Sequence, residues 1–233
     1  MIQAVSINSY QVYPFEKRQS FLSFLENGHW NNILVALNAE KLIRDDEELR
    51  QLVNTNIGYP DGVGAVWAMR KAGKDAIKIP GSEFWLDIIE AFHKEKSFYL
   101  VGAKPEIIEQ TVKKLHTQFP ALQIKGYHDG YFNDEEYHTL KKEILRTKPD
   151  AVFVAIGSPK QEYIMQELQE QHKALYMGLG GSFDVYTGHV QRAPEAWINL
   201  NLEWAYRLIK QPNRIIRQRV LVKFLFRLLT GRL

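Results

Sequence analysis

Ala151-Val152-Phe153-Val154-Ala155-Ile156, followed by Gly157-Ser158-Pro159-Lys160-Gln161-Glu162, a helical stretch to His172 and then Leu175-Tyr176-Met177, is the segment that decides the fold. A short β-branched run, a tight loop, a longer helical pattern and a second short apolar run describe parallel strands joined by a crossover helix. The same alternation recurs along the chain. Residues 33–37, 98–101, 124–127, 151–156 and 175–177 read as strands. Residues 39–53, 61–72, 82–94, 105–119, 134–147 and 159–172 read as helices. Pro105 and Pro159 stand at helix starts, where a missing N–H is harmless. The pattern predicts a doubly wound α/β core with a mainly parallel sheet over residues 1–193. A helical appendage follows over 194–233, with the boundary near Ala193-Pro194.

In an open parallel sheet the ligand lies beyond the carboxyl ends of the strands, so the loops after the strands should carry the chemistry. They read Asn38-Ala39-Glu40, Gly102-Ala103-Lys104-Pro105, His128-Asp129-Gly130-Tyr131-Phe132, Gly157-Ser158-Pro159-Lys160-Gln161-Glu162 and Gly178-Leu179-Gly180-Gly181-Ser182-Phe183-Asp184. Glycines beside helix starts leave backbone N–H groups open to a phosphate, which points to a nucleotide or sugar-phosphate ligand. Several familiar devices are missing. Gly178-Leu179-Gly180 has Phe183 where a dinucleotide fingerprint needs its third glycine. The chain has no G-x-x-x-x-G-K-[ST], no G-x-S-x-G and no Asp-x-Asp pair, and its seven histidines lack metal-ligand spacing. Neither a metal nor an organic cofactor is implied.

Composition narrows the rest. With 233 residues, 45% hydrophobic and 24% charged, the chain suits a globular core with an appendage. Its lack of cysteine removes disulfides, thiolate metal sites and cysteine nucleophiles. The first residues show no basic segment followed by an apolar one, so a cytoplasmic location is expected.

Charge is unevenly placed. Residues 204–233 contain eight Lys and Arg and no acid; taking them from the chain's 30 leaves 22 against 27 Asp+Glu. Between those charges stand many apolar residues, the pattern of a cationic amphipathic helix suited to an anionic membrane surface. At 100° per residue Arg219, Lys223 and Arg227 share one side, with Leu221, Leu225, Phe226, Leu228 and Leu229 on the other. The alternative is a helix docked on its own domain with a solvated basic face. Lys223 and Arg227 interrupt the longest apolar run, so no membrane crossing is expected. High apolar content and the lack of an aromatic-interleaved basic motif argue against nucleic acid.

Tyr59-Pro60-Asp61-Gly62-Val63-Gly64 is dense in residues that composition does not explain. Asp61, at the start of an apolar helix, reads as an N-cap or as a general base exposed in a loop, and one position can serve both. Downstream, Asp184 is a candidate partner for Arg192 and Glu203 for Arg207.

Taken in order, A-x-N-A-E, P-D-G-x-G, G-x-P-K-Q-E, G-G-S-F-D-V-x-x-G and R-A-P followed by L-E-W-x-Y-R-L resemble the WecG/TagA/CpsF family of glycosyltransferases over nearly all of residues 34–217. The text around Asn38-Ala39-Glu40-Lys41, Met177 and Thr187-Gly188-His189-Val190 looks most like the branch that transfers N-acetyl-D-mannosaminuronic acid in enterobacterial common antigen synthesis. The resemblance implies a Rossmann-like core acting without a metal at the inner face of the cell membrane. It also implies transfer, with inversion, from a UDP-sugar to GlcNAc-diphospho-undecaprenol. Asp61 matches the catalytic base, and Asn38 and Gln161 match active-site positions. Arg207, Arg214 and Arg217 match arginines of an appendage that completes the site at the membrane. Lys78 stands where many members carry an arginine, keeping the charge without the bidentate fork. Ala36 replaces the threonine of teichoic-acid members, whose donor is UDP-N-acetylmannosamine. A non-catalytic nucleotide-sugar-binding protein and a nicotinamide-dependent oxidoreductase are the rival classes, and the sequence leaves open whether the chain forms a homo-oligomer.

Overall fold

The computed structural model describes residues 2–200, 205–206, 209, 215–231 and 233. Among these residues eight strands form one sheet: β1 (Val5–Ile7), β2 (Tyr10–Val12), β3 (Ile33–Leu37), β4 (Ile57–Pro60), β5 (Ser97–Gly102), β6 (Gln123–His128), β7 (Ala151–Ala155) and β8 (Leu175–Gly178). Their order across the sheet is β1-β2-β4-β3-β8-β7-β5-β6, and every pairing except β1 with β2 is parallel. This is the Rossmann-like, doubly wound arrangement expected of the sequence.

Helices cover both faces. On one side lie α2 (Ala39–Leu42), α3 (Glu47–Asn54), α4 (Val63–Lys71), α7 (Asp134–Thr147), α8 (Lys160–Gln171) and α11 (Ile215–Thr230). On the other lie α1 (Arg18–Phe24), α5 (Gly81–Phe92), α6 (Pro105–Gln118) and α9 (Ser182–Thr187); α10 (Glu195–Asn199) follows α9. The double cover explains the unbroken apolar strands. In β7, Val152 and Val154 enter one core while Ala151, Phe153 and Ala155 enter the other. β6 lies at the edge, and its residues alternate between exposed and half-buried.

Three departures from the expected elements have local causes. The stretch 39–53 is two helices, because Asp46 caps α3 by accepting from Leu49 N–H at 3.0 Å, and the break carries Arg44 out of the helix. β4 was hidden by its glycine and proline. Gly58 is required by close packing: a Cβ there would lie 2.5 Å from the Gln11 carbonyl oxygen. The β1–β2 hairpin turns through Asn8 and Ser9, both at positive φ, and each of its strands has only three residues.

The C-terminal helix α11 docks on the core, against α2. Phe224 is fully buried and Leu228 nearly so, with Val220 and Leu225 packed beside them. A Cβ on Gly64 would come within 3.1 Å of the Phe224 ring, so the small residue on α4 admits it. At the far end the Lys71 ammonium donates to the Leu228 carbonyl. The expected split into one apolar and one basic side is corrected. Leu225 and Leu228 face inward, whereas Phe226 and Leu229 face outward together with Val222, at 59%, 82% and 67% exposure. The helix has two apolar faces because Phe224 and Val222, omitted from the expected apolar side, lie on opposite sides of it.

Candidate active site

The carboxyl ends of β3, β8, β7, β5 and β6 open into one cavity of about 560 Å³. Its wall includes Asn38, Glu40, Lys41 and Arg44 from the β3 side, and Gly157, Ser158, Gly180, Gly181 and Asp184 from the β7 and β8 loops. Ala103, Gly130 and the exposed Tyr131 extend it toward the sheet edge. The glycines are not all glycines for packing. Among the described residues, a Cβ at Gly157, Gly180 or Gly181 would meet nothing within 4 Å. Gly157 and Gly180 have positive φ, but Gly181, at φ −99°, needs glycine neither for conformation nor for protein packing. Its bare backbone leaves clearance for a ligand.

Asp61 follows β4, the neighbour of β3, and its N–H donates to the Leu37 carbonyl at 2.9 Å. Gly62 packs 3.8 Å from Asn38 Cβ when given a Cβ of its own, so the P-D-G loop abuts the cavity wall at Asn38. The capping expectation is corrected in its partner. Gly62 holds the N-cap position of α4, and Asp61 Oδ1 instead accepts from the Gly81 N–H, the first residue of α5, at 3.3 Å. The carboxylate therefore sits at the start of α5, one residue ahead of the α4 cap.

Asn38 caps α2: its Oδ1 accepts from Lys41 N–H at 3.0 Å, while its NH2 end has no partner among the described residues. Gln161 is buried. Its Nε2 donates to Glu162 Oε1 at 3.2 Å and its Oε1 accepts from Gly180 N–H at 2.9 Å, so both ends of the amide are used, one on α8 and the other in holding the β8 loop. Gly178 makes room for it, since a Cβ there would lie 2.3 Å from Gln161 Nε2. Lys78 is half-buried, beside Ile79, whose N–H donates to the Pro60 carbonyl at 2.9 Å. That bond sets Lys78 next to the Asp61 loop. Arg207 and Arg214, like Glu203, lie outside the described residues, and of Arg217 only its place on α11 is described.

Sequence reasoning missed the buried layer beneath the cavity. Lys41 Nζ donates to Glu162 Oε1 at 2.6 Å, both residues being almost fully buried. Burial, with the carboxylates of Asp61 and Glu162 nearby, pushes the Tyr59 hydroxyl well above its usual pKa and keeps it neutral. The signal existed in Lys41 and Glu162, but nothing in one sequence says that residues 121 apart meet. Arg192 also found another partner than the expected Asp184. It pairs with Glu83 on α5 at 2.5 Å, and Arg18 joins the same carboxylate, leaving Asp184 on the cavity wall.

A family model for the glycosyl transferase WecG/TagA/CpsF family matches residues 6–233. The chain belongs to this family. Membership makes it a glycosyltransferase and implies a nucleotide-sugar donor and a lipid-linked acceptor. The described geometry suits that chemistry: open backbone for a diphosphate, a carboxylate at the rim and cations in the wall. No group of three or more His, Asp or Glu among the described residues could hold a metal ion. No described helix is long and apolar enough to cross a membrane.

Proposed function

We propose that this member transfers N-acetyl-D-mannosaminuronic acid, with inversion and without a metal, from its UDP donor to GlcNAc-diphospho-undecaprenol. The product belongs to enterobacterial common antigen synthesis at the cytoplasmic face of the inner membrane. The observation that carries the reading is that the Asp61 loop abuts Asn38 in the wall of a glycine-rich cavity at the carboxyl ends of the strands.

Inverting transfer needs a base for the acceptor hydroxyl and positive charge for the UDP leaving group. Asp61 is the base, oriented by the Gly81 N–H. Asn38 offers its amide to the donor, Gln161 sets the β8 loop, and Lys78 adds charge near Asp61. Arg207, Arg214 and Arg217 complete the charge on the leaving diphosphate from the appendage, residues 194–233. The outward stripe of Val222, Phe226 and Leu229, with Lys223 exposed beside it, supports binding to an anionic lipid surface.

The test is product mass after incubation with GlcNAc-diphospho-prenol and a panel of UDP-sugars, followed by the anomeric configuration of the product. The N-acetylmannosaminuronic acid donor should give a disaccharide lipid, and excess EDTA should leave the rate unchanged. Turnover of UDP-N-acetylmannosamine alone would replace the uronate donor with that of the teichoic-acid branch. UDP-sugar binding without any transfer would return the non-catalytic reading.

A further inference from the structure

We propose that Lys41 binds the diphosphate of the donor from within the core, and that Glu162 is the positioning residue that holds its ammonium there. The inference rests on the UDP-sugar reading above.

Lys41 is part of the cavity wall, yet only 6% of it is exposed, and Glu162 is 1% exposed. An ammonium has three N–H donors. Among the described residues Lys41 Nζ uses one, on Glu162 Oε1 at 2.6 Å. As a purely structural bridge the pair is poorly made. Removing two charges from water is repaid only when the remaining lone pairs and protons also find partners, and an apolar pair of equal size is often as stable. Here Glu162 Oε2 is buried with no hydrogen-bond partner among the described residues. An anion arriving in the cavity would take up the idle N–H bonds and share the ammonium with Glu162.

The surroundings favour a phosphate. The Lys41 pair is tied through Gln161 to Gly180, whose neighbour Gly181 is the residue bared for ligand clearance. One hydrogen-bonded chain thus joins the cation to the loop best suited to phosphate oxygens. It ties Lys41 to side chains and backbone of the core, so the core holds part of the leaving-group charge itself.

The experiment compares UDP and uridine binding to the full chain, by calorimetry and ligand-observed NMR, in wild type, Lys41→Met and the double variant Lys41→Met/Glu162→Gln. Lys41→Met should weaken UDP by about 10–100-fold, the range of a charge-assisted hydrogen bond, and leave uridine within about twofold. The double variant removes both charges, so no carboxylate is left buried without its partner, and it secures the measurement should Lys41→Met fail to fold. It should show the same selective loss of UDP. Wild-type affinity for UDP in Lys41→Met, or its return in the double variant, would overturn the inference while leaving the donor reading intact. A wild-type protein that binds neither UDP nor uridine would overturn the donor reading and the inference with it.

Discussion

Gly178 and Gly181 are glycines for opposite reasons, and substituting each with alanine separates packing from ligand clearance. At Gly178 the added carbon would collide with the buried Gln161 amide, and such overpacking costs about 1–3 kcal/mol. At Gly181 the space is open and φ is ordinary, so stability should stay within about 0.5 kcal/mol of wild type while donor binding falls. Thermal unfolding and UDP titration check the pair; a Gly181→Ala protein with unchanged UDP affinity removes the clearance argument. Asp61 makes a second residue-scale test. Asp61→Asn still accepts from the Gly81 N–H but has no basicity, so turnover should fall by about 10²–10⁴-fold with Tm nearly unchanged. Turnover within about threefold of wild type would leave Asp61 a structural role in place of the base. The motif around Asp61 was legible in the sequence because proline, aspartate and glycine punctuate it so densely. Its partner was not, because Gly81 lies 20 residues away and donates through its backbone, which every residue has.

Elements were legible where their periodicity was long or their cover complete. α7 was readable to the residue, as its Asn133–Glu136 capping box marks the start. β4 was not, because four residues with Gly58 and Pro60 look like a turn until β2 and β3 are seen on either side. α5 shows how an element can be pinned by charge. Partial burial raises the pKa of Glu83, but hydrogen bonds from Arg18 and Arg192 outweigh it and hold the carboxyl below its ordinary value. A carboxyl lowered in this way stabilises the fold in full above its unfolded pKa, about 4.3 for Glu, and ceases to do so as pH falls through the lower folded value. Glu83→Gln should therefore lower Tm at neutral pH and converge with wild type as the pH drops below about 4. Asp87 shares Arg18, but burial raises it, so Asp87→Asn should not reproduce that profile. Parallel Tm profiles for Glu83→Gln and wild type across the acid range would show that the pair contributes nothing through charge.

For the whole molecule the question is how an acidic core with a basic end meets a lipid-borne substrate. The sequence displayed the asymmetry, 22 Lys+Arg against 27 Asp+Glu before the tail and eight basic residues without an acid within it. It could not show which apolar residues the core would claim, since that depends on Gly64 admitting the Phe224 ring. Docking leaves Val222, Phe226 and Leu229 outside, and helical spacing sets the exposed Trp67 of α4 on the side between Gly64 and Lys71 that faces α11. α4 begins next to the Asp61 loop, so a membrane touching this surface would lie near the rim of the cavity. Two contributions to binding should then separate by salt. Each Lys or Arg at an anionic surface contributes about 1 kcal/mol that screening removes, whereas apolar insertion does not depend on ionic strength in that way. Arg219, Lys223 and Arg227 changed to glutamine should release the protein from anionic vesicles at low salt. Val222, Phe226 and Leu229 changed to serine should abolish whatever binding survives at high salt. Because these apolar side chains are exposed, the serine variant should fold normally and keep its turnover on a short water-soluble acceptor. Should it sediment with vesicles at every salt concentration as wild type does, the outward stripe is not the membrane-binding surface and lipid contact must be sought elsewhere on the molecule.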